Sequence, residues 1–332
     1  MTVQSDPMER GLLGSTDLTV SAICHGGGAF GSACKGDELV ARIDHYRRAG
    51  GNFLDTAHCY AFWHSQGAGC SERAIGEYVR RNGRGDLVIA TKGGHPAAPG
   101  YERPQRYLAA ERIAADLDES LRNLALDTID LYWLHRDDTR VPVAEIVELL
   151  NAEVRRGRIR HFGASNWHPT RLRQAREYAT AYGLQGFAAN QPEWNLARKN
   201  GLPADDPGPG TGAEMRVLTP AAREWQRTVA IPAVPYSAAA CGYFASGGNR
   251  ARQAYENPVT RARLERAQAL AGRRGRTPGQ IALAWLMNQD IQVVPIIGTL
   301  NAEHLADHLA AADIPLTPAE VAWLEHGEDR SS

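Results

Sequence analysis

Short runs of β-branched and apolar residues alternate with longer amphipathic stretches along the whole chain. The short runs predict strands over 18–24, 52–55, 87–91, 129–134, 159–163, 186–190, 233–235 and 292–295, since brief apolar runs bounded by turn residues suit buried strands. The stretches between them repeat apolar positions at helical spacing. They predict helices over 38–48, 72–80, 109–124, 143–155, 169–178, 220–227, 260–271, 278–287 and 302–311. Several ends are marked locally: Asp37 precedes the first helix, Thr277-Pro278 opens the eighth, and Gly157 follows the fourth.

Eight strands, each followed by a helix, predict an α/β fold: a closed parallel (β/α)8 TIM barrel rather than an open sheet. The segment 199–215, KNGLPADDPGPGTGAEM, forms a long loop after strand 6. Its length and its Gly, Pro and Asp content suit an active-site loop or a mobile insertion better than a linker. No repeat and no domain boundary is visible, so one barrel domain is expected over 1–332.

Composition narrows the class. Of 332 residues, 43% are hydrophobic and 23% charged, with a net charge of −1. That is ordinary globular composition, with no strong field to hold a nucleic acid or an anionic membrane surface. The cluster Arg155, Arg156, Arg158 and Arg160 reads as a helix end whose cations suit the dipole, with phosphate binding as the alternative. No apolar run approaches the ~20 residues of a membrane span. The polar stretch 1–10 lacks the apolar core of a signal peptide, and five cysteines form no regular framework. A cytoplasmic protein with reduced thiols is expected.

In such a barrel, residues just past the C-terminal ends of strands face the active site. The second predicted strand ends in Asp55 and runs into DTAHCY, which carries Tyr60; the third ends in Thr91-Lys92; the fourth, IDLYWLH, ends in His135. A free tyrosine has a pKa near ~10, and a nearby ammonium favours its phenolate and lowers that value. A carboxylate would fix and neutralise the ammonium, and an imidazole would hold a substrate oxygen and help relay the proton. Together the four residues suit a tuned acid/base beside a polarised carbonyl.

The order DTAxxY, then TK, then a strand ending in LH resembles the aldo-keto reductase family, over nearly the whole chain from LGSTDLTVSAI to PIIGTLNAEHL. The resemblance implies a catalytic tetrad of Asp55, Tyr60, Lys92 and His135, with Tyr60 the general acid in reduction. It further implies an NADP(H) or NAD(H) site. Ser165 and Asn166 of FGASNW and Gln191 of NQPEW would hold the carboxamide, and Tyr236 of VPYSA would stack on the ring, with Ser237 beside it. Gly28 on the first loop, Gly242, and then Gly298, Thr299, His304, Asp307 and His308 complete the expected cofactor contacts. Trp63, His64, His95 and Trp167, with Phe62, are read as substrate-pocket walls.

Two other motifs compete. Gly26, Gly28 and Gly31 fit G-x-G-x-x-G, with Asp55 lying 24 residues beyond Gly31. That dinucleotide fingerprint needs a helix to open at once, whereas SACKG intervenes here. His58, Cys59, His64 and Cys70 invite a zinc reading, but their spacing fits no standard finger and no metal is expected.

The pattern departs from the family in two places. Ala61 follows the tyrosine where glycine is usual, and Ser71-Glu72 arrives after a longer loop, predicting a reshaped pocket. Between Pro295 and Asp313 there is no Lys or Arg, although cations there often grip the 2′-phosphate of NADP in the family. Leu300 and His304 stand in their places, which favours NAD use or relaxed specificity unless Arg250 or Arg252 supplies the charge. The expected activity is reduction of an aldehyde or ketone, with sugar-like, polyketide and small-aldehyde substrates all compatible. Alternatives are an NAD-dependent sugar or polyol dehydrogenase, and a cofactor-sensing regulatory subunit with little turnover.

Overall fold

The computed structural model describes residues 8–203 and 206–327. Residues 1–7 of the polar N-terminal stretch and Asp205 of the long loop lie outside the described residues.

A hairpin comes first, with β1 (Arg10–Leu12) antiparallel to β2 (Thr19–Ser21). It is followed by β3 (Cys24–Gly26), α1 (Gly36–Arg48), β4 (Phe53–Asp55), α2 (Cys70–Asn82), β5 (Val88–Gly93) and α3 (Ala110–Leu124). Next come β6 (Ile129–Leu134), α4 (Val143–Arg155), β7 (Ile159–Ser165), α5 (Pro169–Ala181), β8 (Asn190–Gln191) and α6 (Pro220–Val229). The chain then runs through α7 (Arg252–Tyr255), α8 (Pro258–Arg274), α9 (Pro278–Met287), β9 (Ile296–Ile297), α10 (Ala302–Leu309) and α11 (Pro318–His326).

Seven strands pair in parallel in the order β8-β7-β6-β5-β4-β3-β9. The barrel closes through the segment around Ala233, which bridges Asn190 on one side and Val293 on the other. The predicted strand 233–235 is thus in its place but reduced to single bridges. Pro232 and Pro235 flank it and have no N–H for a continuous ladder.

Inward side chains such as Phe53, Leu131 and Trp133 fill the barrel, and the hairpin's Leu13, Leu18 and Val20 close its base. A second, larger apolar layer lies between strands and helices.

Some boundaries differ from expectation. The predicted run 18–24 divides between the hairpin and β3. The runs 186–190 and 292–295 shift toward their C-terminal ends, the latter because Pro295 interrupts pairing before β9. Asp37 lies inside the first turn of α1, whose N-cap is Lys35 without a side-chain cap bond. Helix α8 is longer than 260–271 because the Asn257 side chain caps it by accepting from Thr260 N. Helix α11 stands outside the predicted set, although Thr317-Pro318 with Glu320 forms the same capping box as Thr277-Pro278 with Gln280.

In the arginine cluster around the end of α4, Arg156 and Arg158 pair with Glu153, and Arg160 pairs with Asp130 and Asp17. The five cysteines are free thiols, four of them buried. Among the described residues no helix is long and apolar enough to cross a membrane.

Candidate active site

Parallel strands deliver Asp55 at the end of β4, Lys92 near the end of β5 and His135 one residue past β6. The His135 position is fixed by its N–H donating to Gly93 O at 2.8 Å. Lys92 and Asp55 are each only 2% exposed and form an ion pair. The Lys92 ammonium has three acceptors for its three N–H groups: Asp55, Thr56 O at 2.8 Å and the Tyr60 hydroxyl at 3.1 Å. The Tyr60 ring stands edge-on to His135 with centroids 5.9 Å apart. All four predicted residues are therefore gathered at one end of the barrel.

The electrostatics correct one expectation. Burial raises the Tyr60 pKa, and the opposing Lys92 charge does not overcome it, so the phenol stays above its ordinary range. Burial works against the Lys92 ammonium too, but Asp55 and Tyr60 outweigh it and hold the amine protonated. Burial, reinforced by Arg136, His95 and Lys92, keeps His135 neutral well below the usual histidine range. Since Lys92 donates to the Tyr60 oxygen, the phenolic proton is free to be given elsewhere.

Tyr60 lies on a tight turn. Ala61 adopts φ +68°, a left-handed geometry in which glycine is unstrained. Beyond the turn, Ser71 Oγ donates to Gly27 O at 2.7 Å, and Glu72 accepts from Thr91 Oγ1 at 2.6 Å and Asn123 Nδ2 at 3.1 Å. Gly31 has φ +73° and a Cβ there would stand 2.3 Å from Cys70 O. That glycine permits close approach to α2, and no helix opens before Gly36, so the dinucleotide fingerprint is not realised.

The residues expected to hold a carboxamide form one network. Asn166 (φ +61°) donates to Ser165 Oγ at 2.9 Å and accepts from Tyr236 OH at 2.8 Å and Arg216 N at 2.9 Å. Ser165 Oγ donates to Gln191 O at 2.8 Å, and Gln191 Nε2 donates to Asp55 Oδ1 at 3.1 Å. The long loop is tied across this region, with Asp137 N donating to Gly212 O at 3.0 Å.

The remaining expected contacts lie on the loops after β3, after the closing segment at Ala233 and after β9. A Cβ at Gly28 would meet nothing within 4 Å, whereas one at Gly298 would lie 3.6 Å from Gly26 O. Ser237 and Gly242 both have left-handed backbones. Thr299 O accepts from Arg42 Nη1 at 2.7 Å, and the same guanidinium donates to Leu300 O. His304 is exposed, its N–H bonded to the Asn301 side chain at 3.0 Å. Asp307 accepts from Thr277 Oγ1 at 3.2 Å, and His308 is buried.

Among the expected pocket walls, His95 contacts His135 with ring centroids 4.9 Å apart, and Phe62 lies between His95 (6.0 Å) and Trp63 (4.8 Å). Trp63 and His64 are exposed at the lip. Trp167 is placed elsewhere: it is 2% exposed and packs on Phe187 at 4.9 Å in the outer core layer. The polar FGASN stretch hides this, because the strand's alternation ends at Ser165 and the left-handed Asn166 redirects the chain.

Three of the four zinc candidates are engaged elsewhere, Cys59 against His135 at 3.3 Å. His58 bonds Tyr101 OH and Glu119 at 2.9 Å each, and Cys70 Sγ donates to Phe30 O at 3.6 Å. Two residues that sequence reasoning does not single out for the site, Cys59 as a neighbour of His135 and Arg136, also line it; only tertiary proximity reveals them. A separate cleft of about 590 Å³ lies on the outer surface among α1, α2 and α3 and contains none of the site residues.

A parallel barrel thus gathers a buried Lys–Asp pair, a tyrosine and a neutral histidine at its mouth. The aldo/keto reductase family model matches residues 22–327, and the chain belongs to that family. It is 30% identical to an uncharacterized oxidoreductase, YrpG, of Bacillus subtilis, over 93% of this chain and 92% of that protein. It is 28% identical to probable aldo-keto reductase 1 of Glycine max, covering 96% and 87% respectively. Identity to norsolorinic acid reductase B of Dothistroma septosporum is 26%, covering 95% and 80%.

Proposed function

We propose that the protein reduces an aldehyde or ketone to the alcohol with Tyr60 as general acid and a nicotinamide dinucleotide as reductant. The observation that carries this is the Tyr60 hydroxyl, which accepts from Lys92 Nζ at 3.1 Å and keeps its own proton for a substrate oxygen. When bound, the reduced nicotinamide supplies the hydride to the carbonyl carbon.

The donor set fits that group. Asn166 offers an amide whose contact to His135 O is long, 3.3 Å, and the half-buried Tyr236 ring offers a face for stacking. Neutral His135 and Tyr60 hold the substrate oxygen from two sides. Asp55 and Lys92 keep the phenol oriented and discourage its proton from leaving toward the protein. Holding both reactants in this frame supplies the proximity term of catalysis.

The region 298–308 favours NAD over NADP. Its nearest cation, Arg42, is 8% exposed and committed to the Thr299 and Leu300 carbonyls. This feature also favours oxidation of a polyol or sugar alcohol as a second reading. The aromatic lip of Phe62, Trp63 and His95 suits a ring or sugar face.

Fluorescence titration with NADH and NADPH, paired with turnover of the Tyr60→Phe variant, tests the proposal. Binding retained with turnover lost is expected. Turnover comparable to wild type would remove Tyr60 from the mechanism, and a folded protein that binds neither nucleotide would remove the reductase reading itself.

A further inference from the structure

Arg136 follows His135 at the end of β6 and is 9% exposed. Its Nη1 donates to His135 O at 2.8 Å, the carbonyl that also accepts from Asn166 Nδ2. The guanidinium therefore shares the His135 carbonyl with the Asn166 amide, and its charge is felt at both the His135 and His95 rings. The ion pairs among the described residues include none to Arg136. Its acidic neighbours are already taken, Asp137 by Arg171 at 2.6 Å and Asp138 by Arg140 at 2.7 Å. The Lys92 charge is matched by Asp55, so among the described residues Arg136 is a positive charge at this part of the mouth that no ion pair answers. That charge adds to burial in keeping both His135 and His95 neutral, His95 at about 4.

A guanidinium withdrawn from water without a counter-charge is unfavourable unless an anion completes it. The cofactor's phosphates do not meet this need. The expected contacts Gly298 to His308 follow β9, four places from β6, and Ser237 and Gly242 follow the closing segment at Ala233, three places from it. The group that comes to rest beside His135 is the substrate.

We propose that Arg136 anchors an anionic group, a carboxylate or a phosphate monoester, carried by the carbonyl substrate. This rests on the reductase reading above and narrows its substrate class. The fork of N–H donors matches such an oxygen pair and orients the carbonyl toward Tyr60 and His135 as well as attracting it.

The test compares kcat/KM for two matched pairs, 4-carboxybenzaldehyde against benzaldehyde and glyceraldehyde 3-phosphate against glyceraldehyde, in wild type, Arg136→Gln and Arg136→Lys. Wild type should prefer at least one charged member by about ten-fold or more. The preference should collapse toward unity in R136Q and survive in part in R136K. Which pair responds identifies the anion. Because each ratio is internal to one variant, partial unfolding does not mimic the result. Calorimetric binding of the product anions 4-(hydroxymethyl)benzoate and glycerol 3-phosphate reads the same site without turnover. Arg136-dependent binding with no turnover would sustain the anchor and overturn the reductase reading. A charged-to-neutral ratio that is the same in wild type and R136Q would overturn the anchor.

Discussion

The thiol of Cys59 stands 3.3 Å from Nδ1 of His135, joining the residue before Tyr60 to the imidazole just past the end of β6, two strands along the barrel. Burial pushes the Cys59 thiol up to about 12, so the sulfur keeps its proton at neutral pH. His135 is neutral as well. The S–H is then the donor and Nδ1 the acceptor, which leaves the imidazole proton on Nε2. Cys59→Val should lower kcat about five-fold, the worth of one hydrogen bond of ~1 kcal/mol, while Cys59→Ser stays near wild type. Nitrogen-15 spectra of His135 should show the Nε2–H tautomer in wild type and a mixture in C59V. A wild-type imidazole protonated on Nδ1 would refute this.

The Lys92–Asp55 pair predicts a characteristic non-additivity. Lys92→Met leaves the Asp55 carboxylate buried with only Gln191 for company, at a cost of about 3–5 kcal/mol. The double variant Lys92→Met/Asp55→Leu removes both charges and should recover part of that loss. Urea unfolding of the single and double variants measures it. Additive losses would mean the pair is not coupled as the geometry indicates.

Tyr60 also sets a pH profile. With Tyr60 as the proposed general acid, reduction needs the phenol protonated, and burial holds its pKa above the ordinary value of about 10. The kcat/KM for reduction should therefore be level from neutral pH into the alkaline range and fall only above about pH 10. Oxidation of the alcohol should climb over the same range. A reductive profile already falling near pH 8 would contradict a raised phenol.

His25 offers a stability test outside the site. It is 1% exposed, and burial lowers its pKa to about 4. The unfolded chain, with a histidine near ~6.5, binds more protons between those values, so folding loses stability as pH drops below about 6.5. The stability advantage of wild type over His25→Gln should shrink by on the order of 2 kcal/mol between pH 7 and pH 5. Thermal denaturation at the two pH values checks the sign, and a widening gap would reverse the assignment.

Much of this architecture is legible in the chain because a parallel barrel sends its chemistry to strand ends. Asp55, Lys92 and His135 each stand at or just past the end of a local apolar run, so each is found by locating that run. The closing segment at Ala233 is located in the same way, but not its broken pairing, which depends on Pro232 and Pro235 meeting two neighbours at once. The Tyr60 pKa takes the wrong sign from sequence because the ammonium is visible in sequence order while burial belongs to the packed state. Arg136 and the Cys59–His135 contact escape for a related reason: nothing periodic distinguishes a side chain that points into the mouth from one that points away. Trp167 shows the converse error, since a residue next to two expected ligands turns into the core.

The proposed cofactor preference rests on one buried guanidinium. Arg42 reaches from α1 to the Thr299 and Leu300 carbonyls and so shapes the loop without presenting a free cation to it. Leu300 is 45% exposed on that loop and His304 is exposed on the first turn of α10. A cation at either place would meet a 2′-phosphate with charge-assisted bonds of roughly 1.5–3 kcal/mol. Wild type should then bind NADH at least as tightly as NADPH. Leu300→Arg or His304→Arg should tighten NADPH alone by about ten-fold or more, read as Kd by tryptophan fluorescence. Equal tightening of NADH would point to general attraction for the pyrophosphate, and a wild-type preference for NADPH would show that Arg250, Arg252 or another cation supplies the missing charge.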